Sequence, residues 1–415
     1  MKKTLLAAAL VAGFAGVAHA ESSVTLYGLV DAGYGYQSTQ SKYSGQFFEG
    51  EHGKVTKRNY GFQGGGVMNG NRWGLKGTED LGNGTSAIFV LESGFNVGNG
   101  EHSQGDKLFG RQAYVGLSGE SWGTFTLGRQ YNAGDAFVAP VDPFGTGGGL
   151  AGAHNIFGDS LSDRYDNVIK YVSPNFSGFQ FGLGVFHKDE STKYRGDQAI
   201  LAGHAGDYTL KNRAYGVTTG LGYTNGPIYL GASFDYADTK ITETNQPDVR
   251  TKVKAWNIGG TYDFDVAKLH LMYGGQADGA AGGLKLAGAL LGYKLDTRAI
   301  ALGLPGTPSL DDKGLRQHSW LVGLTAPVGD AGKVMFSYAG NDIKNKRVRD
   351  DLNLDRLKAS SHNFALGYRH SLSKRTSVYG VASYGWSNLK VRDGNLNGKI
   401  KTTQSQAIIG LQHRF

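Results

Sequence analysis

Apolar side chains in this chain recur on every second residue. Ile228, Leu230, Ala232, Phe234 and Tyr236 alternate with Tyr229, Gly231, Ser233 and Asp235. Val24, Leu26, Val30, Ala32 and Tyr34 keep the same beat, as do Tyr215, Val217, Leu221 and Tyr223, and Trp256, Ile258 and Tyr262. Successive side chains of a strand point to opposite faces, so each segment carries one apolar face and one small or polar face. A soluble sandwich shows that pattern too. The choice turns on aromatic residues at segment ends, namely Tyr27, Tyr36, Trp73, Tyr171, Tyr223, Trp256, Trp320, Tyr368 and Trp386. Their recurrence fits the interfacial girdles of a transmembrane barrel.

The termini agree. Lys2 and Lys3 precede a short apolar run from Leu5 to Val17 that ends in Ala18-His19-Ala20. A basic start, a short apolar centre and an A-x-A site read as a removable secretory signal over residues 1–20, which leaves 21–415 as one barrel domain. At the far end Ala407, Ile409, Leu411 and Phe415 alternate with Gln406, Gly410, Gln412 and Arg414, and the chain stops on the aromatic ring. No other apolar stretch reaches the ~18 residues of a spanning helix. A mean hydropathy of −0.33 suits an apolar lipid face combined with a polar lumen and polar loops.

Composition excludes several classes. The formal charge of +8 falls to about +6 once Lys2 and Lys3 leave, and the remaining cations are spread between acids. A nucleic-acid binder gathers its Lys and Arg on one helix or patch, so no nucleic-acid partner is expected. The absence of cysteine removes disulfide scaffolds, thiolate zinc sites and thiol nucleophiles. No cofactor is implied.

Short and long connections alternate. Seven tight turns fall near 79–83, 119–123, 174–178, 225–227, 263–266, 327–332 and 371–373, several with Asn-Gly, Asp-Leu-Gly or Pro beside Gly. Eight longer polar segments fall near 37–69, 98–107, 131–164, 188–213, 239–252, 275–316, 342–360 and 388–404. Fifteen connectors give sixteen strands, with both termini on the short-turn side. All 8 prolines sit in proposed turns, loops or strand ends, as the missing N–H requires. Lipid offers no partner to an unpaired edge, so the first strand must pair with the last. The reading is all-β: a sixteen-stranded antiparallel transmembrane barrel.

Laid out this way, the chain resembles the trimeric general porins of Gram-negative outer membranes, in particular the betaproteobacterial branch. The likeness is carried by 23–28 (Ser-Val-Thr-Leu-Tyr-Gly), 71–84 (Asn-Arg-Trp-Gly-Leu-Lys-Gly-Thr-Glu-Asp-Leu-Gly-Asn-Gly), 89–95, 111–117, 127–130, 171–179 and the terminal 410–415, in order along the whole chain. The segment 275–316 departs from the family in its length and in the apolar run 284–291.

The resemblance implies an aqueous channel narrowed by an inward-folded third extracellular loop, matched here to 131–164. That segment carries Asp135, Asp142, Asp159, Asp163 and the glycines 147–149. Facing it, the family places a basic cluster on the wall; by motif this falls on Arg72, Arg111 and Arg164. Lys76 shares a strand face with Arg72, and Glu92, whose phase also points inwards, is assigned with the four aspartates to the acidic side. Arg129 and Lys170 are further lumenal candidates, with a solvated or locally paired charge as the even alternative. Opposed acidic and basic walls set up a transverse field, and the balance leans weakly towards anions. The implied partners are outer-membrane lipid and lipopolysaccharide, two further copies in a homotrimer, small hydrophilic solutes and ions, and the barrel assembly machinery, reached through the strand ending in Phe415.

Three functions compete. The first is passive diffusion of ions and small hydrophilic solutes through a bacterial outer membrane. The second is a channel preferring anionic metabolites or sugars. The third is a barrel hydrolase or adhesin, for which the chain offers no G-x-S-x-G elbow, no H-E-x-x-H and no histidine pair at ligand spacing. The first reading is the one adopted, and no catalytic residue is assigned.

Overall fold

The computed structural model describes residues 23–46, 52–105, 107–198, 206–245, 248–278, 314–345 and 356–415. The expected signal at 1–20 and the apolar run 284–291 lie outside the described residues. Within them the chain forms β1 (Ser23–Ser44), β2 (Gly53–Gln63), β3 (Arg72–Gly82), β4 (Thr85–Gly94), β5 (Gln112–Gly119), β6 (Gly123–Tyr131), β7 (Arg164–Val172), β8 (Phe179–Tyr194) and β9 (Tyr208–Asn225). It continues as β10 (Ile228–Glu243), β11 (Val249–Asp263), β12 (Lys268–Ala277), β13 (Leu315–Val328), β14 (Gly332–Asn345), β15 (Arg356–Ser371), β16 (Thr376–Asp393) and β17 (Leu396–Arg414).

Every strand pairs antiparallel with its neighbours, and β1 pairs with β17 from Leu29↔Arg414 to Ser44↔Lys399. The last residue joins the seam: Phe415 and Gly28 exchange N–H···O bonds of 3.1 Å in both directions. Closure leaves no unpaired edge, which is what lipid demands. β2 and β3 share one position in the ring, because β1 pairs with β2 over Gly33–Tyr43 and with β3 over Ser23–Leu29. Seventeen segments therefore fill sixteen positions.

The two faces separate by chemistry. Leu221, Leu230, Ile258, Leu271, Val322, Phe336, Leu366 and Leu411 are exposed on the outside, and Thr218, Ser233, Asn257, Gln317, Asn341 and Gln406 are buried on the inner phase. A ring of about sixteen strands is too wide for side chains to fill, so it encloses a channel.

All seven tight turns fall where the sequence places them, but five of the eight longer connections are markedly shorter than expected. β1 runs to Ser44 and β2 starts at Gly53, so most of 37–69 is strand. Likewise β8 extends to Tyr194, β10 to Glu243, β14 to Asn345 with β15 starting at Arg356, and β16 and β17 are separated by only Gly394 and Asn395. The physical reason is that these strands continue past the lipid-facing band, where polar and charged residues take the outward positions and the outer apolar stripe stops. In β16 and β17 the inner positions Leu389, Val391 and Ile400 stay apolar and buried.

Residues 132–163, between β6 and β7, cross the interior. They form helices α1 (Ala133–Phe137) and α2 (His154–Phe157) and the 3₁₀ turns Ala139–Val141, Gly149–Ala151 and Asp159–Leu161. Asn132 caps α1 by accepting from the Asp135 N–H at 3.2 Å. Apolar core exists where this segment meets the wall. Phe137, Val138, Val141, Ile156, Phe157 and Leu161 pack with Met272, Leu321 and Ala339, and Phe144 and Ala151 pack with Met335, Ala365, Tyr379 and Ile408. Polar ties add to this: His270 bonds the Val141 carbonyl at 2.7 Å, Tyr229 donates to the Phe137 carbonyl at 2.8 Å and Gln406 to the Gly148 carbonyl at 2.6 Å. Burying one side chain such as Phe137 contributes roughly 1.5–3 kcal/mol, so six in one cluster suffice to hold a loop inside a wet barrel.

Candidate functional site

Strand phase puts charge inside. On β3, Trp73 faces outwards while Arg72 and Lys76 share the inner phase. Arg111 precedes β5, Tyr131 ends β6 and Arg164 starts β7, with Tyr131 and Arg164 directly paired at the neck of the crossing segment. Arg72, Arg111 and Arg164 line one cavity of about 330 Å³ with Tyr131, Asp135, Ser162 and residues 68–70 and 145–147.

Tyr131 organises the arginines. Its hydroxyl accepts from Arg111 at 2.6 Å and also from Arg164, whose guanidinium lies 4.2 Å from the ring centroid. Arg72 donates to the Gly70 carbonyl at 3.0 Å. A guanidinium over an aromatic face is attracted by the ring quadrupole, which fixes its plane.

The carboxylates are arranged differently from the sequence expectation. Glu92 does point inwards, but it sits on β4 within the basic wall. Its Oε1 accepts from Arg111 Nε at 2.6 Å and its Oε2 from the Tyr27 hydroxyl at 3.0 Å. Asp135 lines the cavity from α1 and accepts from the Ser162 hydroxyl at 2.5 Å. Burial raises its carboxyl above the ordinary value, against the lowering pull of that bond and of Arg164, Arg111 and Lys170.

Asp142 is only 3% exposed and accepts from the backbone N–H groups of Phe144, Thr146 and Ala153 at 2.8–3.0 Å. It shapes the crossing segment from within. Asp163 closes the neck, where its backbone N–H donates to Asn132 Oδ1 at 3.2 Å and its carboxylate accepts from the Arg164 N–H at 2.7 Å. Asp159 opens the last 3₁₀ turn, and its side chain lies outside the described residues.

Lys76 stands apart from the arginines, its ammonium 5.6 Å from the Tyr27 ring centroid. Lys170 takes the inner phase and donates to the Tyr131 carbonyl at 3.0 Å. Arg129 does not face the lumen. It shares the outward phase of Phe125 and Leu127, pairs with Ala113 across the ladder and binds Asp166, which also holds Lys107 at 2.6 Å. Gln130 keeps the inner phase of Thr126, where it is buried and accepts from the Thr126 hydroxyl at 2.8 Å.

Sequence reasoning passed over Tyr131, Tyr27, Ser162 and residues 68–70. Tyr131 was within reach, since the first and last residues of the segment 131–164 must meet at its neck.

A closed cylinder, apolar outside and polar within, with a charged cavity against its inner wall, defines a β-barrel membrane channel. The family model described as Gram-negative porin matches residues 7–388. An outer membrane porin protein of Bordetella pertussis is 39% identical over the full length of both chains, and outer membrane porin protein 32 of Delftia acidovorans is 30% identical, also over both full lengths. Among solved structures, the anion-selective porin from Comamonas acidovorans superposes with a TM-score of 0.59 at 25% identity, over 95% of this chain and 100% of that one. The chain belongs to the Gram-negative porin family. It is a non-enzymatic outer-membrane channel for passive diffusion.

Proposed function

We propose that the passage bounded by Arg72, Arg111, Arg164 and Asp135 is the narrow section of the pore and that it favours anions. The observation that carries this is the local charge balance: three guanidinium groups line the cavity, Glu92 is engaged by one of them, and Asp135 is the facing carboxylate. Lys170 adds a further inward cation. The lumen is wet and charges are screened over about 8 Å at physiological salt, so the result is a preference between ions. The relative titled an anion-selective porin supports the sign. The test is a planar-bilayer recording under a salt gradient with Arg72→Glu and Arg111→Glu combined: the reversal potential moves towards cations. An unmoved reversal potential removes both from the narrow section.

Residues 1–20 act as a cleaved export signal in this reading, and the mature chain assembles as a homotrimer. Tyr60 and Phe62 on β2 and Ile409 on β17, the two strands flanking β1, are exposed by 73%, 57% and 70% and support a surface covered by further copies. Lipopolysaccharide covers another part of the outer face. Lys344, Lys358, Lys390 and Lys399 stand directly opposite one another across β14 to β17. Like charges in register repel, and the phosphates of the outer leaflet would relieve that repulsion. The C-terminal strand, closed by Phe415 on Gly28, is the segment offered to the barrel assembly machinery.

A further inference from the structure

We propose that Asp31 is a positioning residue for the passage, acting through an inward fold of residues 64–71 that braces the tip of the crossing segment. The inference rests on the reading of that passage as the narrow section of the pore.

The wall strand shared by β2 and β3 breaks between Gln63 and Arg72, opposite residues 30–32 of β1. The intervening residues leave the ladder and turn inside, bringing Met68, Asn69 and Gly70 into the cavity that holds the three arginines. Backbone that leaves a ladder needs new partners for its N–H groups. Asp31 supplies them. It is fully buried on the inner phase of β1, and its Oδ1 and Oδ2 accept from the N–H groups of Val67 at 2.9 Å and Asn69 at 3.0 Å. The same carboxylate accepts from Tyr379 at 2.6 Å and from Gln412 at 2.8 Å. Its own N–H donates to Asn71 Oδ1 at 2.5 Å, and Asn71 Nδ2 donates back to the Gly64 carbonyl at 2.6 Å. Four neutral donors converge on this buried carboxylate.

The fold held in this way passes its position on. The Val67 carbonyl accepts from the N–H groups of Gly148 at 2.7 Å and Gly149 at 3.1 Å, which form the tip of the crossing segment. Gly147 approaches the Met68 carbonyl so closely that a Cβ there would collide with it. Val67 and Met68 pack in one cluster with Phe144 and Ala151. Thr146 and Gly147 of the tip, and Arg72 just after the fold, are all cavity-lining groups. A chain of direct contacts therefore runs from Asp31 through 67–69 to both sides of the passage.

The experiment is Asp31→Asn in the mature chain, recorded in planar bilayers beside the parent protein. The amide turns one acceptor into a donor facing N–H groups, so the brace loosens. The expected result is a larger and noisier single-channel conductance, with a reversal potential shifted towards zero under a salt gradient, while the barrel still shows its β-sheet circular dichroism. A residue of merely structural importance would lower the melting temperature and leave the reversal potential where it was. Should Asp31→Asn fail to assemble, Tyr379→Phe together with Gln412→Leu removes two of the four donors and carries the same expectation. Unchanged conductance and reversal potential in whichever variant assembles, with a conducting parent, overturn this inference alone; a parent that does not conduct overturns the pore reading and this inference with it.

Discussion

Arg111 and Glu92 form an ion pair of 2.6 Å with both side chains buried, at 7% and 5% exposure. The pair ties the residue preceding β5 to β4, where the Arg111 N–H also donates to the Glu92 carbonyl at 3.1 Å. It therefore sets the height of one arginine on the wall and removes part of its charge from the lumen.

Breaking that pair from the acidic side should be costly. Glu92→Gln leaves the Arg111 guanidinium buried without a counter-charge, a class of change that costs about 3–5 kcal/mol. The expected outcome is a lowered melting temperature by circular dichroism in detergent and a reversal potential shifted further towards anions.

Asp135 gives the channel a pH response. Its raised pKa means that it gains a proton at milder acidity than an ordinary aspartate. As pH falls below neutrality the facing negative charge is lost while the arginines keep theirs, so anion preference grows. Reversal potentials measured between pH 7 and pH 4 should drift in the anion direction, and Asp135→Asn should start at the shifted value and drift less.

The crossing segment is anchored by Phe137. A Cβ on Gly220 of β9 or Gly231 of β10 would collide with Phe137, so these glycines form a recess shaped for that residue. Phe137→Ala empties it, at about 3–5 kcal/mol for a buried aromatic. Single-channel conductance should rise and fluctuate more as the segment loses its hold, and barrel closure, read by sheet content, should persist.

Arg129 provides a contrast. It faces outwards beside Asp166, where a partly exposed pair contributes about 0–1 kcal/mol. Arg129→Ala should leave conductance and reversal potential unchanged, whereas the same substitution at Arg164 should alter both.

The barrel itself was legible because lipid imposes a two-residue period that runs such as 228–236 display openly. The seven tight turns were legible through their Gly, Asn and Pro chemistry. What remained hidden lay where lipid no longer acts. β16 and β17 continue as ladders up to Asp393 and Leu396 with charged outward positions. The short alternation of buried Leu389, Val391 and Ile400 with Lys390, Arg392 and Lys401 is a strand signal that the loop reading missed. The inward fold at 64–71 was hidden inside an apparent loop, because its partners come from Asp31, Tyr379 and Gln412, far apart in the chain.

At the site, phase pointed Glu92 and Lys170 inwards and put Lys76 on the face of Arg72, a residue taken from the motif; the strands carry all four on their inner phase. Arg129 came from the motif and not from phase; plain alternation with Phe125 and Leu127 already turns it outwards. Residue type alone could not tell Asp135, which lines the cavity, from Asp142, which holds its own loop together.

The most direct test of the account is a planar-bilayer recording of the purified mature chain across a range of potassium chloride concentrations and under a salt gradient. Stepwise currents that scale with salt concentration, together with a reversal potential on the anion side, are the predicted result. A chain that inserts and gives no conductance, or one whose reversal potential lies on the cation side, would contradict it.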